Sequence, residues 1–171
     1  MSSVAGSPIV DALTVDVEDY FQVSALESAV RRSQWDTMEC RVERNVDRLL
    51  SLFHEHGARA TFFTLGWIGE RLPHLVRSIV ANGHELASHG YDHQRANRQT
   101  RTQFRADVAK AKTILEEASA VGVHGYRAPS FSFDDSNPWV FDSLAAAGYR
   151  YSSSVYPVRH DHYGMPDAPR F

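Results

Sequence analysis

The first side chains able to do chemistry stand in Thr14-Val15-Asp16-Val17-Glu18-Asp19-Tyr20, where three carboxylates follow an apolar run. Strand alternation puts Asp16 and Glu18 on the same side. Like charges that close repel, so a cation, a shared proton or water has to compensate. A solvated loop, with Asp19 or Glu18 capping the next helix, is the plainer alternative. The second group is Ser88-His89-Gly90-Tyr91-Asp92-His93. Histidines at i and i+4 can face one direction on a helical turn, and neutral imidazole is a good ligand for Zn2+ and similar ions. Gly90 follows the first His where a zincin has its glutamate, which argues against that protease class. A hydrogen-bonded surface pair is the alternative here. The third group is Gly125-Tyr126-Arg127-Ala128-Pro129-Ser130. An Arg at a strand end, followed by a Pro that fixes the backbone, can pin a guanidinium near carboxylates. A surface salt bridge is the ordinary fate of such an Arg.

These groups need elements to position them. Ile9 to Val17 reads as a buried strand that ends in acidic residues, and Trp35 to Cys40 as a connection. Val42, Val46, Leu49, Leu50 and Phe53 recur at helical spacing, with Gly57 as the stop. Ala60 to Leu65 is β-rich; Pro73 suits the first turn of a helix that Gly83 ends; Glu85 to Ser88 is a short strand. Thr100 and Gln103 fit a capping box for a helix with Phe104, Val108, Ala111 and Leu115 on one face. Val123 to Arg127 is the next strand, Pro138 opens a helix that stops near Gly148, and Tyr149 to Ser153 is a further strand. This alternation predicts an α/β domain with a mainly parallel sheet. Each chemical group then lies at the C-terminal end of a predicted strand, where parallel α/β barrels gather their active sites. There a carboxylate and two histidines make a three-ligand metal site with open positions for water and substrate. A second carboxylate remains as base, with Arg127 to hold it ionised.

The 171 residues, 43% hydrophobic and 23% charged, fit one globular domain. A net charge of -3 with scattered basic residues argues against nucleic acid as the main ligand. No apolar run reaches membrane-spanning length. Met1 to Asp11 lacks the charged start and long apolar stretch of a signal peptide, so a cytoplasmic location is expected. Cys40, the only cysteine, excludes an internal disulfide framework and favours a reducing compartment. A complete barrel usually takes roughly 200–250 residues. About five strands are legible, and Pro157 to Phe171 has no strand pattern. The expectation is an open, shortened barrel or a fragment without its closing strands.

Thr14-Val15-Asp16-Val17-Glu18, Ser88-His89-Gly90-Tyr91-Asp92-His93 and Arg127-Ala128-Pro129 together resemble the successive motifs of polysaccharide deacetylases (carbohydrate esterase family 4, NodB homology). The wording from Val15 to Phe21 and from Tyr151 to Pro157 is most similar to the branch found in exosortase-associated exopolysaccharide loci. The resemblance runs from about Val10 to the C-terminus. It implies a distorted (β/α) barrel, C-terminally truncated in this chain, and metal-dependent hydrolysis of N-acetyl groups on a hexosamine polymer. The implied cofactor is Zn2+ or another divalent transition metal. By motif matching Asp16 takes the base position, His89 and His93 the histidine-ligand positions, and Arg127 the position that orients the base. The commonest family pattern has two adjacent Asp, whereas Val17 follows Asp16 here. On the Asp-x-Asp register of a related branch Glu18 is the third ligand, with Asp19 in reserve.

The implied partner is an N-acetylated polysaccharide or oligosaccharide. Tyr91, Tyr126, Pro129 and Phe131 are the substrate-contact candidates, and Trp67, Phe133 and Trp139 are further aromatic surfaces for sugar stacking. The family's late general-acid histidine has no counterpart: His160 and His162 lie in a stretch with loop chemistry and no preceding apolar strand. Rival readings stay open. They are an allantoinase-like hydrolase of a small cyclic amide, a fragment that binds metal and sugar without turnover, and a glycosidase, which leaves the His pair unexplained. Two His and one carboxylate also suit Fe(II).

Overall fold

The structure is a computed structural model that describes residues 11–161 and 163–169. Five strands form one sheet in the order β1-β2-β3-β4-β5, and every adjacent pair is parallel. The strands are β1 (Leu13–Val17), β2 (Ala60–Thr64), β3 (Glu85–Ser88), β4 (Gly125–Tyr126) and β5 (Tyr151–Ser152). Sequential order with a helix in every crossover is the winding of a (β/α) barrel wall, and it matches the expected α/β class. The helices are α1 (Val42–Glu55), α2 (Gly66–Arg71), α3 (Pro73–Ala81), α4 (Arg101–Ser119) and α5 (Trp139–Ala146), the last of these joining β4 to β5.

Two core clusters lie between the sheet and its helices. The first joins Val17, Phe62, Leu65 and Trp67 to Val46 and Leu50 of α1 and Leu75 and Ile79 of α3. The second joins Leu86 and Tyr126 to α4 and α5. The capping box appears as expected: Thr100 Oγ1 accepts from the Gln103 backbone N–H, and the Gln103 side chain accepts from the Thr100 N–H. Phe104, Val108, Ala111 and Leu115 on that helix are all fully buried.

Several boundaries differ from the sequence reading. β1 begins at Leu13, and Ile9 and Val10 lie outside the described residues. The stretch read as a connection contains a 3-10 turn over Arg32–Thr37 that buries Trp35. β4 and β5 are two residues each rather than five, yet the hydrogen bonding runs on beyond them: Arg127 N donates to Ser88 O and Ser153 N to Tyr126 O, each at 2.9 Å. Helix α2 is unannounced by the sequence because glycines at 66 and 69 read as breakers. They are there for proximity. A Cβ on Gly66 would stand 3.0 Å from the Ala111 Cα, and one on Gly69 would stand 2.9 Å from Leu115 Cδ2. Only bare backbone lets α2 lie this close to α4.

Leu115 sits where α2, α4 and the second core meet. Leu115→Ala is expected to cost about 2–5 kcal/mol of unfolding free energy. Leu52→Ala, on the exposed side of α1, is expected to cost less than about 0.5 kcal/mol. Urea denaturation of the two variants measures the contrast.

Candidate metal centre

The strand ends deliver the three sequence groups to one place. Glu18 follows β1, His89 follows β3, and His93 comes four residues later. One carboxylate oxygen and two imidazole nitrogens from these residues lie within 4.8 Å of one another. Glu18 Oε2 is 2.8 Å from His93 Nε2 and 3.8 Å from His89 Nε2. The two imidazole side chains are 2% and 6% exposed, so this is an interior site with its open side toward Glu18.

Its chemistry suits a cation. Glu18 Oε2 is buried and has no aligned hydrogen-bond donor. His89 Nδ1 stands 2.8 Å from the Arg127 carbonyl, which can only accept, so Nδ1 carries the proton. That fixes the tautomer and leaves the Nε2 lone pair facing Glu18, the arrangement by which metal-binding histidines are oriented. Burial holds the His89 pKa below the usual histidine range, which favours neutral imidazole. Burial would raise Glu18, but the nearby imidazole of His93, with that of His89, outweighs it and lowers its pKa. A carboxylate and two imidazole nitrogens so gathered fit a divalent transition metal.

The expectation of a helical turn between the histidines is corrected. Residues 89–93 form a bend with no helix, and both Gly90 (φ 78°) and His93 (φ 59°) are left-handed. The bend is held from behind by Asp107 of α4, whose two carboxylate oxygens each accept from the Tyr91 N–H at 3.3 Å. A Cβ on residue 90 would stand 3.0 Å from Asp107 Oδ2. This support has no local sequence signature, because it comes from the second turn of α4, a helix that begins a dozen residues after His89.

Asp19 is not in the cluster. It is buried, and its carboxylate accepts from the backbone N–H groups of Tyr20, Arg41 and Val42. It thus caps the start of α1, and of the two carboxylates weighed from sequence Glu18 is the one placed at the histidines. Asp16 lies one pleat earlier on the same side as Glu18. Its Oδ1 accepts from Arg127 Nη1 at 2.8 Å. Arg127 is fixed in turn by Thr14 Oγ1 (3.1 Å), the Ser153 carbonyl (3.2 Å) and Ser153 Oγ (2.8 Å). Its guanidinium carbon is 4.1 Å from the centre of the Phe63 ring. Thr14, Phe63 and Ser153 were missed as functional residues, although strand alternation alone turns them to the side of Asp16 and Arg127.

The substrate-contact candidates divide. Phe131 is half-buried, with its ring centre 5.4 Å from the Arg127 guanidinium carbon and 5.6 and 5.8 Å from the rings of Tyr156 and Tyr163. Tyr126 is corrected: it is fully buried in the second core, stacked on Phe133, and presents no surface to a sugar. Tyr91 is corrected too. Its ring lies against α2 and α4, with Lys110 Nζ 3.2 Å from its centre and its hydroxyl donating to Glu70. Pro129 is buried and shapes the backbone after Arg127. Trp67 and Phe133 belong to the cores, and Trp139 packs against the second. His160 stacks on Tyr163 at 4.0 Å; His162 lies outside the described residues.

Comparison with known proteins decides the family. The polysaccharide deacetylase family model matches residues 32–152. The chain belongs to this family. Its fold is accordingly the distorted (β/α) barrel of the polysaccharide deacetylases. A Mycobacterium smegmatis protein assigned to the polysaccharide deacetylases has a crystal structure that is 30% identical, with a TM-score of 0.70 over 87% of this chain and 52% of its own. A carbohydrate esterase family 4 pseudoenzyme of Bacillus anthracis, 20% identical, shares the fold with a TM-score of 0.63 over 82% of this chain and 41% of its own. A Helicobacter pylori peptidoglycan deacetylase is 28% identical over 113 residues, which cover 66% of this chain and 38% of that protein. The chain thus spans well under half of that relative and about half of the M. smegmatis structure. No helix among the described residues is long and apolar enough to cross a membrane.

Two outcomes follow from this geometry. Glu18→Gln and His89→Ala are each expected to weaken zinc binding by at least about 10-fold, whereas Asp19→Asn keeps zinc and loses stability through its cap. Elemental analysis and thermal melts of the three variants separate the roles. The second concerns Asp107, whose carboxyl is pushed up to about 7, chiefly by burial, with the Asp92 charge adding to it. Between roughly pH 4 and this value the folded chain keeps a proton that the unfolded chain has released. This group therefore makes stability fall as pH rises through that window. Asp107→Asn is expected to gain on the unmodified chain from pH 4 to 7 and to hold a constant offset above it, as read by urea midpoints across pH.

Proposed function

We propose that this polysaccharide deacetylase family member hydrolyses N-acetyl groups on hexosamine residues of a polysaccharide, using a divalent transition metal, zinc in the first instance, held by Glu18, His89 and His93. The observation that carries the reading is the convergence of those three ligand atoms beside a carboxylate, Asp16, that is held by a fixed guanidinium. A metal bound there supplies Lewis-acid polarisation of a carbonyl and acidification of water. Asp16 takes the proton from the water that attacks the acetamide carbonyl. Arg127 fixes the direction of its carboxylate through Oδ1, so that Oδ2 is the proton acceptor. His89 is kept in its tautomer by the Arg127 carbonyl, so one residue orients both the base and a ligand.

Support for a sugar polymer comes from the relatives and from the rim. Besides the peptidoglycan deacetylase, a chitooligosaccharide deacetylase of Sinorhizobium fredii is 33% identical over 82 residues, 47% of this chain and 38% of that one. Phe131, Tyr156 and Tyr163 form a row of partly exposed rings beside Arg127. Such a row suits the apolar faces of successive sugars better than a closed pocket for a small cyclic amide would. The exopolysaccharide-locus wording of the sequence makes an exopolysaccharide the substrate of first choice.

The test is acetate release from N-acetylglucosamine oligomers by the zinc-loaded chain. Asp16→Asn is expected to lower kcat by about 10²–10⁴ while zinc content stays at the unmodified level. Zinc binding without acetate from any N-acetylated oligomer would leave a metal- and sugar-binding module in place of an enzyme.

A further inference from the structure

A cavity of about 270 Å³ opens directly beside His93, between the segment after β1 and the bend that carries the histidines. Phe21 and Trp35 give it an apolar side, and the rest of its wall is unusual for a chain of net charge -3. Arg31, Arg32, Arg95 and Arg98 all line it, against Glu27 and Asp92. Arg98 is paired with Glu27, and Arg32 lies 3.4 Å from Asp92. Among the described residues neither Arg31 nor Arg95 has a carboxylate within ion-pair distance. Arg95 is anchored by its Nε, which donates to Ser24 Oγ at 3.3 Å, so its two terminal nitrogens are left for something else.

A second observation is independent of the arginines. Gln22 is 3% exposed and lines the same cavity. Its Oε1 accepts from the Asp19 N–H at 2.7 Å, which settles the orientation of the amide. Its Nε2 is then a buried donor without an acceptor. An unmade buried hydrogen bond of this kind is costly, and a ligand oxygen would satisfy it. Guanidinium and amide N–H groups offer donors only. The partner they call for is an acceptor-only anion, and a carboxylate has the planar fork that arginine matches with paired hydrogen bonds.

We infer that this cavity is a specificity site for a sugar carboxylate on the residue next to the N-acetylated hexosamine, held by Arg31, Arg95 and the Gln22 amide. The inference rests on the deacetylase reading only in placing the acetamide at the metal centre. It narrows the substrate from any N-acetylated glycan to an acidic one. The carboxylate can come from a uronic acid or from the lactyl ether of muramic acid, which present the same chemistry to the arginines.

Calorimetric titration of the zinc-loaded chain tests it, with three probes: N-acetylchitotetraose, a hyaluronan tetrasaccharide, and the N-acetylglucosamine–N-acetylmuramic acid disaccharide. At least one carboxylate-bearing probe is expected to bind about tenfold or more tightly than the neutral tetraose. The preference should shrink as NaCl is raised, and the better of the two acidic probes identifies the source. In the double variant Arg31→Gln, Arg95→Gln the ratio of acidic to neutral affinity should fall to near one, with zinc content unchanged. Equal affinities for all probes, no binding of any probe, or a preference that survives the double variant would overturn the proposal. Acetate release is measured alongside. Acetate from the neutral tetraose without an acidic preference sinks the carboxylate site and keeps the deacetylase. An acidic preference without acetate from any probe does the reverse.

Discussion

The Arg127 guanidinium is the interaction on which the rest of this structure depends. It belongs to the end of β4, yet it hydrogen-bonds Asp16 and Thr14 on β1. In a flat sheet those strands would be roughly 14 Å apart, three spacings of about 4.8 Å. The contact exists because the parallel sheet is rolled toward a barrel, and it also stabilises that roll. Phe63 of β2 lies under the same guanidinium, and Ser153 beyond β5 accepts from it twice. One side chain therefore ties four strands across the concave face. The arrangement demands an anion at Asp16, because a guanidinium only 10% exposed is costly without one. The charge that orients the Asp16 carboxylate is thus the same charge that closes the fold locally.

The fold was legible wherever a local rule had a strong signal. The capping box at Thr100, the buried face from Phe104 to Leu115 and the short strand at Glu85 needed only nearest neighbours in sequence. The strand ends were harder. Val123 and Tyr149 read as strand because they are apolar and buried, but burial there comes from helix packing, and the ladder itself is two residues long. Helix α2 was hidden because a glycine that permits close approach is spelled the same as a glycine that ends a helix.

The site shows the same division. Residue types and order at strand ends were enough to gather Glu18, His89, His93, Asp16 and Arg127. They were not enough to choose between Glu18 and Asp19, since that choice is made by two backbone N–H groups at the start of α1, some twenty residues away, together with the N–H of Tyr20. Nor could spacing reveal that His89 and His93 are joined by a left-handed bend. Its shape is set by Asp107, on a different element. Tyr126 and Tyr91 failed as sugar contacts for a related reason. An aromatic next to a functional motif is on the opposite pleat or the opposite side of a bend as often as not, and here both rings turn into the helix layer.

The distribution of tasks along the chain has a physical logic. The three groups placed for the metal come from the ends of β1 and β3, so they are fixed by the register of the first three strands. Asp16 comes from β1 but its carboxylate gains its direction from Arg127 at the end of β4. The arginine-lined cavity lies beside His93 and the Phe131 row beside Arg127, each carried by its own loops, Arg31 and Arg95 for the one and Ser130-Phe131 for the other. Those loops meet in the Ser24 and Ser130 hydroxyls, 2.5 Å apart. Ser24 also accepts from Arg95. Ser24 thus couples the loop of Arg95 to the loop of Phe131 by direct hydrogen bonds. The loop of Arg95 is continuous with the bend that carries His93, and Arg32 across the cavity pairs with Asp92 in that bend, so a change in either loop reaches the histidines through the backbone of residues 91–95.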